Sequence, residues 1–314
     1  MKYFKLLAIS IFLLNNYQYL HSQINSADGL RAPGDWNGWI NPPSEAELNL
    51  SLIPNTNKLD LSTTFWHTPG AFNVRAPGTY TFKLVNTSFG NIWGNEWGNA
   101  TFSAEDTKAP FDYGSVGNAS ITLGGGNYFI VFKDLGYNPT TASIINVGDS
   151  YQAITSTIEP SGYPSVSGSD VAFLIGTDAS PGALGATNLK VYVVFAQSGN
   201  YVSHNQLTSS GTDHQVVVNS VSDGLYDYFY VITSHNAWTQ FAASGDNSLS
   251  NLQHFVTYCY NPQNSFTVSS SCSEYTSFGS ITGAQNNCGS FDPTSITSSS
   301  SPSGGSGGTP TYQW

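Results

Sequence analysis

The sequence predicts an all-β chain of tandem sandwich modules, and three observations carry that expectation. Charged residues fill only 9% of the 314 positions, aromatic residues fill 14%, and Gly, Ser, Thr and Asn are abundant. Such a chain lacks the Glu, Lys, Ala and Leu that surface helices need, and it suits short strands joined by turns. Short apolar–polar alternations recur along its length, separated by Gly-, Asn- and Ser-rich stretches. The length itself fits two or three modules.

The N-terminus predicts export. Lys2 and Lys5 precede an apolar run from Leu6 to Leu14, followed by a polar stretch from Asn15 to Gln23. The run is too short to span a bilayer and has the proportions of a signal-peptide core, so residues 1–23 are set apart from the fold. No later segment is apolar enough to span a membrane. The expected location is therefore outside the cell. A formal charge of −11 with only nine Lys and Arg residues repels phosphate backbones and argues against nucleic-acid binding. Cys259, Cys272 and Cys288 have neither CxxC spacing nor nearby histidines suited to zinc. They leave room for one disulfide and one remaining thiol. No metal or cofactor is expected.

The first module is expected over residues 24–147. In Thr79 to Val85, Tyr80, Phe82 and Leu84 alternate with Thr81, Lys83 and Val85, which sets Lys83 on the opposite face. Asn127 to Leu135 is apolar on both faces and reads as a central strand. Asn118 to Leu123 reads as its hairpin partner, turning through Gly124, Gly125 and Gly126. Residues 42–70 read as a long, partly stranded connection.

A second module over 148–262 is predicted from strands at 169–177, 188–196, 214–218, 225–233 and 252–260. Their number and spacing suggest an immunoglobulin- or fibronectin-III-like sandwich. Tyr226, Tyr228 and Tyr230 share one face of the fourth and are expected to pack rather than to bind ligand. Residues 263–314 read as a Ser- and Gly-rich linker and the start of a truncated repeat, since Thr309 to Trp314 looks like the opening of a strand.

Five of the seven tryptophans lie between Trp36 and Trp97. The first pair sits in Arg31-Ala-Pro-Gly-Asp-Trp-Asn-Gly-Trp39, where Asn37-Gly38 is a strong turn signal that brings Trp36 and Trp39 together. The second pair, Trp93 and Trp97, sits in Phe89-Gly-Asn-Ile-Trp-Gly-Asn-Glu-Trp-Gly98, which reads as a loop. Indole planes on loops beside Asn and Asp suit sugar recognition, because pyranose C–H faces stack on rings while hydroxyls need amide and carboxylate partners. Trp36, Trp66 and Trp238 are expected to pack.

These residues resemble a family. APGDWNGW, then GTYTFKLVN, then NIWGNEWGN are similar to the glycogen- and starch-binding sandwich modules of the isoamylase N-terminal and SusE-like types. The resemblance spans about Leu30 to Tyr137 and departs from the family in its long, irregular 42–70 connection. It implies glucan contacts from Trp39, Lys83 and Trp93, with Trp97 competing for the last role and Asn37 matching the turn Asn. Glu96, between the two loop tryptophans, is a further candidate acceptor for sugar hydroxyls. Residues 280–314 resemble the start of immunoglobulin- or PKD-like repeats of long secreted bacterial surface proteins, which implies a bacterial cell-surface setting.

Catalysis finds no motif. Glycoside hydrolysis needs two carboxylates about 5–10 Å apart in a cleft, and the acids here are scattered. H-E-x-x-H is absent from the sequence, and Gly304 to Gly308 fits G-x-S-x-G only as part of the Ser- and Gly-rich stretch, not as a nucleophile elbow between strand and helix. The sequence therefore predicts a non-enzymatic, secreted or surface-displayed protein that recognises an α-glucan or related polysaccharide by aromatic stacking. Two alternatives are a structural or adhesive stalk without a sugar site, and targeting modules for an enzyme domain downstream.

Overall fold

The computed structural model describes residues 29–86, 95–114, 117–135, 140–148, 151–180 and 189–269, and four short strands beyond them. Residues 1–23, expected to direct export, and most of 263–314 lie outside the described residues. The chain is all-β, and among the described residues two short helices interrupt the strands. No helix there is long and apolar enough to cross a membrane.

The first module contains β1 (Leu30–Arg31), β2 (Asn49–Leu52), β3 (Thr64–His67), β4 (Phe72–Val74), β5 (Gly78–Phe82), β6 (Leu84–Asn86), β7 (Asn95–Gly98), β8 (Lys108–Tyr113), β9 (Ala119–Leu123), β10 (Gly126–Asp134) and β11 (Thr140–Asn146). The main ladder runs β11-β8-β7-β6-β1-β2-β3-β10, and β10 also pairs with β11, so the circuit closes. Two strands make its corners by serving different neighbours with different halves. Asn49 and Leu50 of β2 pair with β1, whereas Ser51 and Leu52 pair with β3. In β8 the residues from Lys108 to Phe111 pair with β11, and Asp112 and Tyr113 pair with β7.

Strand β10 shows why its sequence is apolar on both faces. Tyr128, Ile130 and Phe132 point into the core of this module, with Phe82, Leu84 and Phe111. Phe129 and Val131, on the other face, join a core that continues into the second module. A strand buried on both sides needs no polar alternation.

Two expectations change here. Thr79 to Val85 is two strands, because the chain changes sheet at Lys83, whose backbone N–H donates to the Pro33 carbonyl at 3.0 Å. Strand β9 pairs with β5 and does not form a hairpin with β10. Both sides of β10 are already taken, by β11 on one and by β3 and β4 on the other. The glycine turn at 124–126 therefore carries the chain from one sheet to another. The connection at 42–70 supplies β2 and β3.

The second module contains β12 (Thr157–Ile158), β13 (Ser165–Ser167), β14 (Asp170–Thr177), β15 (Leu189–Gln197), β16 (Asn200–Gln206), β17 (Thr208–Ser210), β18 (Asp213–Val218), β19 (Gly224–Ser234), β20 (Tyr258–Tyr260) and β21 (Ser265–Val268). One sheet runs β12-β14-β18-β17 with β13 beside β14, and the other runs β16-β15-β19-β20 with β21 beside β19. Between them Phe173 meets Phe195, Tyr228 and Phe266 at 5.3, 5.7 and 5.5 Å between ring centres. Tyr226, Tyr228 and Tyr230 are buried. Glu159 accepts from both the Tyr228 and Tyr230 hydroxyls, at 2.9 and 2.7 Å, and so ties the chain beside β12 to the opposite sheet.

The strand expected at 252–260 is mostly something else. Helices α1 (His235–Ala243) and α2 (Leu249–Gln253) follow β19, and only Tyr258–Tyr260 is strand. Ser234 and Ser248 begin the two helices by accepting the backbone N–H of Ala237 and Asn251 on their hydroxyls. Beyond residue 269, β22 (Tyr275–Ser277) pairs with β25 (Ser303–Gly304), and β23 (Ser280–Thr282) pairs with β24 (Thr297–Ser300). Cys259 is a buried free thiol, and Cys272 and Cys288 lie outside the described residues.

The boundary near residue 147 separates two sheet systems but not two cores. Phe65, Phe129, Val131 and Ile145 belong to the same apolar cluster as Leu252, Phe255 and Val256. Polar groups stitch the seam. Asn57 donates to the Cys259 carbonyl, the Leu59 N–H to Gln253, and Asn261 to the Thr56 and Lys58 carbonyls, all between 2.7 and 2.9 Å. His254 lies edge-on to Phe65 and shares a 2.9 Å hydrogen bond with the Thr141 hydroxyl.

Candidate functional site

Pro33-Gly34 brings the chain from β1 to a single 3-10 turn, Asp35–Asn37. The Asn37 side chain makes that turn. Its Oδ1 accepts the Gly34 N–H at 3.0 Å, and its Nδ2 donates to the Ile40 carbonyl at 2.9 Å. Gly38 closes the turn in the left-handed region at φ 65°, and Trp39 follows in the same region at φ 62°. A bulky residue there is uncommon and costs on the order of 1 kcal/mol, so the surroundings must hold it. They do so with Asp35. The Trp39 indole donates to Asp35 Oδ1 at 2.8 Å, while Asp35 Oδ2 accepts the Thr81 N–H at 2.6 Å and the Thr81 hydroxyl at 2.8 Å. Burial alone would raise the Asp35 pKa, but these hydrogen bonds outweigh it and hold the carboxyl below its ordinary value.

Trp36 points the other way. One side of its ring packs on Phe72 and Phe82, at 4.9 and 4.8 Å, and its indole N–H donates to the Ala32 carbonyl at 2.9 Å. Tyr80 lies nearly parallel to it, 6.4 Å away with 24° between the planes. Together Trp36, Tyr80, Asp35, Arg75 and Glu45 line an open cleft of about 350 Å³. Its walls combine half-buried aromatic surface with one guanidinium and two carboxylates.

The predicted residues separate. Trp39 is half-buried and stands beside this cleft on the turn. Asn37 borders it, but its amide is committed to the turn. Lys83 and Glu96 pair with each other at 2.5 Å, with 13% and 5% of their side chains exposed. Neither projects into the cleft. Trp97 lies on β7 rather than on a loop and is 3% exposed, packed against Tyr113 and Phe132. Its strand pairs with β6 and β8, which turns the ring inward. Trp93 lies outside the described residues. Trp66 is buried in β3, and Trp238 stacks on Tyr192 at 5.6 Å.

Sequence reasoning passed over Tyr80, Asp35, Arg75 and Glu45. Asp35 stood inside the quoted motif, but nothing in the motif showed that its carboxylate bridges the indole and β5. Tyr80 shares a strand face with Phe82 and Leu84, and it sits where that face runs out into the cleft.

No family model matches the chain, and no curated protein matches it. Among solved structures it has a likeness to the pullulanase from Bacillus acidopullulyticus, at 11% identity and a TM-score of 0.19. That likeness covers 66% of this chain and 27% of the other. A TM-score so low establishes no common fold and carries no functional argument.

Proposed function

We propose that this is a secreted, surface-associated polysaccharide-binding protein whose first module holds a neutral glycan, of the α-glucan class, at the Trp36–Tyr80 cleft and on the Trp39 ring of the adjoining turn. The observation that carries the reading is the clamped Trp39. A large aromatic ring is kept in a left-handed backbone conformation by a carboxylate that also grips β5, on the same turn whose Trp36 lines the cleft with Tyr80. Rings fixed in this way lose little entropy when a sugar ring stacks on them. Glu45 and Arg75 supply hydroxyl partners at the rim, while Asp35 holds the turn. The α-glucan assignment draws on the sequence resemblance, and the location on the export segment. Lys83 and Glu96 serve as a structural pair in this reading, and Trp97 as core. The role is binding without catalysis.

One good stacking contact contributes about 1 kcal/mol, so affinity should fall in the micromolar to millimolar range. Calorimetric titration of the whole chain with maltoheptaose, glycogen and cellohexaose tests the reading. Trp39→Ala and Tyr80→Ala should each weaken binding about fivefold. Absence of any binding heat at millimolar sugar would end it.

A further inference from the structure

The seam between the modules carries two clefts, and they differ in one decisive respect. The first is lined by Glu105, Asp106, Gly124, Asn236 and Gln240 and measures about 520 Å³. Its acids are occupied. Glu105 accepts the Gly124 N–H, the Tyr128 hydroxyl and the Asn146 amide, and Asp106 accepts the Asn146 N–H and a side-chain hydrogen bond from Asn236. These contacts bind one part of the protein to another and leave little capacity for a ligand.

The second cleft is larger, about 790 Å³, and both modules build it. Leu59, Phe229 and Leu249 form an apolar floor, each 6% exposed or less. Around that floor stand exposed polar groups: Ser62 from the first module, and Asp227, Gln263, Asn264 and Ser265 from the second. Asp60 is spent locally, accepting from the Ser62 N–H and the Ser62 and Thr63 hydroxyls. The Asp227 carboxylate and the Gln263 amide, by contrast, have no side-chain partner among the described residues. Gln263 is also held at φ 55°, where Asn261 Oδ1 accepts its N–H at 2.8 Å. Asn261 in turn is tied to Lys58 and Thr56 of the first module. The rim is thus pre-positioned by the seam.

Clefts of 300–1,000 Å³ at domain junctions, apolar within and with a few convergent polar groups, are the usual form of a ligand site. No lysine or arginine lines this one, its ionisable lining groups are Asp60 and Asp227, and the chain carries −11 overall. An anionic ligand is therefore disfavoured. Planar amide and carboxylate groups around an apolar floor match a ligand with hydroxyls at its edge and C–H groups on its face.

We propose that the inter-module cleft is a second binding site, taking a neutral, hydroxyl-rich ligand of oligosaccharide type between Asp227 and Gln263 above Phe229. The site shares no residue with the Trp36–Tyr80 cleft or the Trp39 turn, so the two readings can fail separately.

The test uses the full chain with maltoheptaose, cellohexaose and xylohexaose at up to about ten millimolar, the weak end of specific affinity. Binding is read by calorimetry, and occupancy by hydroxyl-radical footprinting at Leu61, which is 48% exposed on the cleft wall. In Trp39→Ala, one of these sugars should still protect Leu61. Adding Asp227→Ala and Gln263→Ala, both at exposed positions, should abolish that protection and weaken the residual binding at least tenfold. Polygalacturonate should not protect Leu61. The proposal is overturned if none of the neutral sugars protects Leu61, if protection vanishes with Trp39→Ala alone, or if it survives the Asp227 and Gln263 substitutions.

Discussion

Trp39 and Trp97 belong to one cluster in the sequence, yet truncating them tests different physics. Trp97→Ala empties a core position between Tyr113 and Phe132, and such losses cost about 3–5 kcal/mol. Trp39→Ala removes a half-buried ring and one hydrogen bond, and should cost about 1 kcal/mol while lowering sugar affinity. Urea unfolding of the two variants distinguishes them. Lys83→Met leaves the Glu96 carboxylate buried without its partner and should destabilise by about 3 kcal/mol, and adding Glu96→Leu should recover most of that. A double-mutant cycle reads the coupling. Asp106 offers a pH test. Burial, with some help from Glu105, raises its pKa from 3.8 to about 6. The folded state therefore binds this proton more tightly than the unfolded state, and the ionised group becomes a penalty as pH rises through 6. Asp106→Asn removes the penalty, and Asn tolerates the left-handed φ of 60° at this position. The variant should melt higher than the parent near pH 8, by on the order of 2 kcal/mol in stability, and its advantage should vanish near pH 4.

At the scale of elements, the turn carrying Trp39 leans on one close approach. A Cβ placed on Gly34 would lie 2.6 Å from both the Phe82 Cβ and the Thr81 carbonyl oxygen. Gly34→Ala must push the turn away from β5, at a cost of about 1–3 kcal/mol, and should loosen the Asp35–Thr81 link. A fall in both melting temperature and sugar affinity would show it, and an unchanged affinity would separate the turn from the site. The strands that were legible in the sequence, β10, β14, β15 and β19, are long and apolar enough to announce themselves. What stayed hidden was pairing. Alternation along Thr79 to Val85 says which residues share a face, but not that the chain changes partners at Lys83. Helix α1 was missed because its nine residues, His235–Ala243, are too few to show a helical period, and its start is marked only by Ser234. The site was half legible for the same reason. The Asn-Gly turn exposed Trp39 in the sequence, whereas the burial of Trp97 depends on β8 and β10, which are distant in the chain.

For the molecule as a whole, the seam decides how the modules unfold. Separating them would return Phe65, Phe129, Val131 and Ile145 to water, each a loss of about 1.5–3 kcal/mol. A single calorimetric transition is therefore expected for residues 24–262, and a first module produced alone should melt well below it. The seam also sets an acid limit. Burial, with Lys108 and Lys133 nearby, holds the His254 pKa well below 6.5, so the imidazole stays neutral in the fold while the unfolded chain takes up a proton. Its contribution is kept above about pH 6.5 and lost as pH falls below that value. The decline in melting temperature between about pH 7 and 5 should be shallower in His254→Gln.

Strand β10 has two inward faces. A strand that fills two cores at once couples their histories: a substitution at Phe129 or Val131 is judged by the partner module as well as by its own. Neither half can be exchanged for a foreign module without repacking the other. What can be inherited, duplicated or transplanted intact is the pair, and the pair is the unit in which this protein should be engineered.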